Sequence, residues 1–286
     1  MSMKKTGLAA LFAVGLVNPV AAQTAAVAEA SPPALTANVA LTSSYRSRGI
    51  DQSYGKPALQ GGFDYVHASG FYLGNWNSSV SSGAGFPDGS LEMDFYGGYT
   101  ASFGDFGVDV GGIVFYYPGS QGRVLGWKAK SGAVTSKEIY LGGSWKFLSL
   151  KYSYSVSDYF ALRGLDSEGE DTGKKTRGST YLELSAEHDL GNGWGVNAHL
   201  GHLDLKNVHN GDYTDWGVGV TKDINGWVIG LSYVDTNASG KCSSSSSVQP
   251  YCLSRSLQDD GGEPNFSNST KNGGRGIAIL SLSRTF

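Results

Sequence analysis

From Thr36 onward, apolar and polar residues alternate with a period of two, and turn residues break the alternation at nearly regular intervals. In "SLKYSYSV" Leu150, Tyr152, Tyr154 and Val156 share one face, opposite Lys151, Ser153 and Ser155. "SLEMDFYGGYTASF" sets Leu91, Met93, Phe95 and Tyr99 against Glu92, Asp94, Tyr96 and Thr100. "STYLELSAEHDL" and "GWVIGLSYVD" repeat the design. Strands buried on both faces, as in parallel sheets, would be apolar throughout, so these are amphipathic antiparallel strands.

The pattern predicts twelve strands, near 36–48, 57–66, 70–80, 90–103, 106–117, 136–147, 148–159, 178–190, 193–205, 212–223, 226–237 and 275–286. The connections between them alternate in length. "HAS", "GD", a near-zero link at Leu148, "GN" and "NG" are tight, whereas all but one of the intervening links are longer, the longest following Thr236. One end of the sheet is trimmed and the other elaborated. That is the layout of a transmembrane β-barrel with short periplasmic turns and long external loops. An even strand number puts both termini on the periplasmic side. A soluble sandwich or lipocalin-like barrel is the alternative. Against it stand the strand length, which suits a tilted membrane crossing, and the aromatics near strand ends. Trp145 and Phe147, Trp194, Trp227, Phe103 and Phe106, and Tyr116 and Tyr117 occupy the places of interfacial girdles.

Closure explains why the chain ends in mid-strand on "GIAILSLSRTF". The last strand must pair with the first, and Ala278, Leu280, Leu282 and Phe286 fall on its lipid side. A terminal aromatic there resembles the assembly signal read by the barrel-assembly machinery. Arg284 interrupts the apolar run and must snorkel.

The first 22 residues are set apart by a basic start (MSMKK), a short apolar middle and the small-residue site Val20-Ala21-Ala22. This is the form of a secretory signal peptide, too short for a membrane helix. Residues 23–35 are then a short periplasmic segment and 36–286 the barrel. Composition agrees with a barrel wall: 42 Gly, 16 Tyr and 6 Trp in 286 residues. Loss of Lys4 and Lys5 with the signal takes the net charge from −3 to −5, which disfavours nucleic acid as a partner.

"LTSSYRSRGIDQSYGKPALQGGFDYVHASGFYLGNW", "SLEMDFYGGY", "KEIYLGGSW", "SLKYSYSVSDYF", "DYTDWGVGVTKDINGWVIGLSYVDT" and "LSLSRTF" occur in order between Leu35 and Phe286. In these the chain resembles the TorF-type porins of proteobacteria. The resemblance implies an outer-membrane barrel with porin activity and carries no residue roles. The Ser-rich segment before the last strand departs from it.

Candidate chemistry is sparse. Cys242 and Cys252 lie in "KCSSSSSVQPYCLSR" and, in an exported chain, read as a loop disulfide, with two free thiols as the alternative. His199 and His202 are three apart on a strand and point to opposite faces, which speaks against a shared metal ion. His67 and Ser69 sit in a tight turn with no third member of a catalytic triad in view. The run Asp166, Glu168, Glu170 and Asp171 is expected in a solvated external loop. No cofactor and no enzymatic activity are expected.

The informative charges are those phased to the inner face. Arg46, Arg48, Lys146 and Lys151 supply four positive charges; Asp64, Glu92, Asp94, Asp109, Glu183, Glu187 and Asp215 supply seven negative ones. A dry core could not hold so many unless nearly all were paired, whereas a water-filled lumen could. The expected protein is an outer-membrane porin passing small polar solutes or ions, weakly selective for cations, in contact with lipid and lipopolysaccharide. Arg123, Lys128, Lys130 and Lys137, in one acid-free loop, could oppose that selectivity by folding inward. The rival is a non-conducting barrel whose external loops bind a surface ligand or partner.

Overall fold

The computed structural model describes residues 34–84, 89–120, 133–242, 248–254 and 270–286, with the dipeptides 8–9 and 25–26. The expected signal segment and its cleavage site therefore lie almost wholly outside the described residues, as do Arg123, Lys128 and Lys130.

Twelve strands form one closed antiparallel barrel. They are β1 (Ala34–Thr42), β2 (Ala58–Val66), β3 (Phe71–Ser79), β4 (Leu91–Phe103), β5 (Phe106–Tyr116) and β6 (Thr135–Trp145). β7 (Leu148–Ser155), β8 (Thr180–Gly191), β9 (Trp194–Asp204), β10 (Tyr213–Ile224), β11 (Trp227–Thr236) and β12 (Ile277–Thr285) complete it. Each pairs with its sequence neighbour, and β12 returns to β1 with Ser281 opposite Thr42 and Thr285 opposite Asn38. No edge is left unpaired, which a sheet surrounded by lipid requires.

The tight turns lie where expected, and residues with positive φ make them. Asn192-Gly193 (53° and 75°) and Asn225-Gly226 (57° and 84°) each join strands through two left-handed residues, the type I′ geometry that matches strand twist. Two strands stop earlier than the alternation suggested. β1 ends at Thr42, not near 48, and β7 at Ser155, not near 159. In both places the chain leaves the wall and turns into the barrel.

Polarity is inverted relative to a soluble barrel. Leu41, Phe63, Leu73, Leu141, Leu184, Leu200 and Leu280 are exposed on the outer surface, while Glu92, Asp94, Asp109, Ser136 and Asp215 are buried inside. Only a surrounding apolar solvent makes that arrangement favourable, and it is the pattern of a transmembrane barrel. Aromatic and basic side chains gather at the tight-turn rim. Phe106 stacks on Trp145 at 6.4 Å, Lys222 Nζ lies 5.0 Å over the Trp194 ring, and the Arg284 guanidinium sits 5.3 Å from both Trp227 and Phe286. Arg284 thus keeps its charge at the interface between two ring faces. Tyr117 departs from the expected girdle: it is 1% exposed and turned inward.

Candidate functional site

The segment from Ser43 to Lys56, between β1 and β2, folds down inside the barrel. Its core is a minimal hairpin, Arg46–Ser47 against Ile50–Asp51, closed by Arg48 and Gly49 with φ of 49° and 77°. This is another type I′ turn, here with Arg in the position that glycine or asparagine would occupy more cheaply. Gly49 has no room for a side chain: a Cβ would stand 2.7 Å from the Asp215 Cβ on β10. The hairpin is tied down along its length. Tyr45 packs on Trp76 of β3 with ring centroids 5.5 Å apart. Arg46 donates to the Gly273 carbonyl at 2.5 Å and lies 3.8 Å from Asp51, which also takes Lys271 at 2.8 Å. Burial lowers the basicity of Arg46, and Asp51 offsets part of that.

At the hairpin tip Arg48 reaches the barrel wall and constricts the lumen there. Its two terminal nitrogens donate to the two carboxylate oxygens of Glu138 on β6, at 2.9 and 2.6 Å. The guanidinium carbon lies 4.4 Å from the Tyr181 ring centroid and 5.8 Å from that of Tyr159, whose hydroxyl accepts a further bond from Nη1 at 3.2 Å. Tyr213 donates to the Arg48 carbonyl at 2.9 Å. Tyr181 in turn donates to Asp215, 3.0 Å from Oδ2, and His199 Nε2 lies 2.9 Å from the other oxygen. Beside this constellation remains a cavity of about 20 Å³ bordered by Arg48, Glu138, Lys151 and Glu183. That is room for about one water.

The expected inner-face charges divide into three groups. Asp64, Glu92, Asp94, Asp109, Lys151, Glu183, Glu187 and Asp215 stand on barrel strands in the inward phase. Tyrosines serve several of them: Tyr96 donates to Asp64 at 2.5 Å, Tyr72 to Asp109 at 2.7 Å and Tyr117 to Glu92 at 2.8 Å. Lys151 and Glu183 face each other on adjacent strands, 3.7 Å apart. The Asp94 carboxylate is fully buried and meets no hydrogen-bond donor among the described residues. Arg46 and Arg48 also face the lumen, but from the inserted hairpin and not from the wall, because β1 ends before them. Lys146 is a correction. It occupies the turn between β6 and β7 with φ 56°, and its Nζ lies 4.8 Å over the outward Trp145 ring. One residue gained in a turn removes a side chain from the strand phase altogether. Lys137 likewise points outward from β6.

Glu138, Tyr159 and Tyr181 complete the constriction and did not stand out in the sequence. Glu138 could have been found from phase alone, since its neighbours Ile139 and Leu141 are outward. Tyr159 could not, as it reaches the site from a loop.

Outside the lumen, Cys242 and Cys252 are joined in a disulfide. Its far end begins the short strand Cys252–Ser254, paired with Thr270–Asn272, which carries Lys271 to Asp51. His199 faces inward and the exposed His202 bonds Thr214 at 2.9 Å. His67 Nδ1 and Ser69 Oγ, 2.6 Å apart, close their own exposed turn. Asp166 likewise accepts the amides of Glu168 and Glu170, shaping the loop between Arg163–Leu165 and Asp171–Lys175.

Residues 26–254 match the family model Gcw_chp, described as a bacterial protein of unknown function. The chain belongs to this family. Among curated proteins, no sequence matches it. Solved structures similar to this chain include the NanC porin, with 10% identity and a TM-score of 0.48 over 88% of this chain and 98% of that one. The KdgM porin in complex with disordered oligogalacturonate gives 9% identity and 0.47, over 88% and 98%. Salmonella typhi OmpF in complex with daunomycin gives 10% and 0.41, over 89% and 97%.

Proposed function

We propose that this Gcw_chp protein is a TorF-type porin of the bacterial outer membrane. It is exported by a cleaved signal peptide over residues 1–22, is inserted by the barrel-assembly machinery, and passes small hydrophilic solutes or ions by diffusion. The observation that carries this reading is the inverted polarity of a closed twelve-stranded barrel: leucine and phenylalanine outside, carboxylates inside. The inner acids outnumber the inner bases, and the two inner arginines are already engaged with Asp51 and Glu138. Fixed negative charge on a narrow, low-dielectric wall concentrates cations, so the pore prefers them weakly. Lipid and lipopolysaccharide are the surroundings this reading gives to the outer face and the loops.

The 20 Å³ cavity at the hairpin tip favours a second reading, a non-conducting barrel whose external loops bind a surface ligand. Planar-bilayer recording on the purified, refolded protein separates the two. Diffusion requires discrete current steps in a salt gradient. A protein that is folded and inserted yet silent at all voltages would retire the porin reading in favour of the second.

A further inference from the structure

We propose that the constriction is a binding site for a guanidino-bearing solute, occupied in this conformation by the chain's own Arg48. The site has the composition such a ligand demands. Glu138, 3% exposed, offers its two carboxylate oxygens to the two terminal nitrogens of the guanidinium, the fork-to-fork pairing that ammonium groups cannot reproduce. Tyr181 covers one face at 4.4 Å and Tyr159 supplies a second ring and an accepting hydroxyl. Tyr181 is itself held by Asp215, so the cage is preorganised by its own supporting hydrogen bonds.

Arg48 is a tethered occupant, whereas most of the cage is part of the wall. The cage residues Glu138, Tyr181 and Asp215 stand on three barrel strands, whereas Arg48 is the tip of a two-residue turn and pays a backbone cost for being there. A non-glycine residue at φ 49° is held in a sparsely populated backbone region. Releasing the tip would recover that strain and leave Glu138 as a buried carboxylate without its cation. Such a state is unfavourable alone and favourable when a second guanidinium arrives. A tethered side chain competes at an effective concentration in roughly the millimolar range or above. A free solute therefore displaces Arg48 only weakly, but fills the cage readily once Arg48 is removed.

The test uses the full refolded chain in detergent micelles, with L-argininamide as probe and L-leucinamide as control, read by saturation-transfer NMR. Arg48→Ala should bind L-argininamide at a concentration at least ten times lower than the wild type, and Arg48→Ala/Glu138→Gln should lose that gain. Retained heat-modifiable migration shows folding, and Arg48→Gln replaces Arg48→Ala if the alanine variant does not fold. Absence of binding to the Arg48 variant, or equal binding by the Glu138→Gln double variant, overturns the site. Planar-bilayer recording separates this from the porin reading. Block of the Arg48→Ala current by guanidinium supports both, and binding without any current supports the site and retires diffusion. Current that guanidinium does not affect, with no NMR binding, retires the site alone.

Discussion

Tyr181 links the wall to the hairpin: its hydroxyl donates to Asp215, and its ring lies under the Arg48 guanidinium. The geometry depends on Gly201 of β9, because a Cβ at that position would occupy the space of the Tyr181 hydroxyl. Gly201→Ala should therefore displace Tyr181, leave Asp215 short of a donor, and destabilise the folded barrel by about 1–3 kcal/mol. A lowered midpoint of urea unfolding in lipid vesicles would show it. Tyr181→Phe, which loses the same hydrogen bond but forces nothing aside, should cost less. An unchanged midpoint for Gly201→Ala would mean that the tyrosine moves aside freely. Single residues are also where sequence reading was weakest. Phase alone places Asp64, Asp109 and Glu183 on the inner face, but Lys146 leaves it because its turn begins two positions earlier than the alternation indicates.

Among the elements, β12 carries the consequence of closure most directly. Phe286 donates its amide to the Ala37 carbonyl at 2.8 Å and accepts from the Ala37 amide at 3.1 Å, so the last residue is a rung of the closing ladder. Its ring also flanks Arg284. Deleting Phe286 should lower the fraction of folded, heat-modifiable protein recovered from outer membranes while leaving export unchanged. Gel migration with and without heating gives the folded fraction, and an undiminished fraction would separate the terminal aromatic from assembly. Strands of this kind were legible because alternation, length and turn residues agree along each of them. The departures from the wall after Thr42 and Ser155 were not, since "SSYRS" and "SDYF" hold polar and aromatic residues that a strand accepts equally well.

For the molecule as a whole, if the barrel conducts as proposed, the position of the hairpin decides which charges would meet passing ions. Glu92 and Asp94 are fully buried, whereas Asp64, Glu183 and Glu187 keep some exposure. Asp64→Asn with Glu187→Gln should therefore reduce cation preference in the resting protein more than Glu92→Gln with Asp94→Asn. The difference should be largest at low salt, where the Debye length reaches about 30 Å. Reversal potentials in a salt gradient measure it. Anion preference in the unmodified protein would mean that charges outside the wall, such as those of the Arg123–Lys130 loop, set the field.

The sequence by itself determined the barrel, because lipid outside and polar groups inside impose a period of two that each strand carries locally. It also determined the trimmed and elaborated ends, through residues such as Asn225 and Gly226 whose turn geometry is a local property. Only the tertiary structure decided what fills the lumen. Arg48 meets Glu138 across a sequence separation of 90, and Tyr181 meets Asp215 across 34. Those partnerships depend on which strands come to face one another across a closed sheet, and no local pattern encodes that.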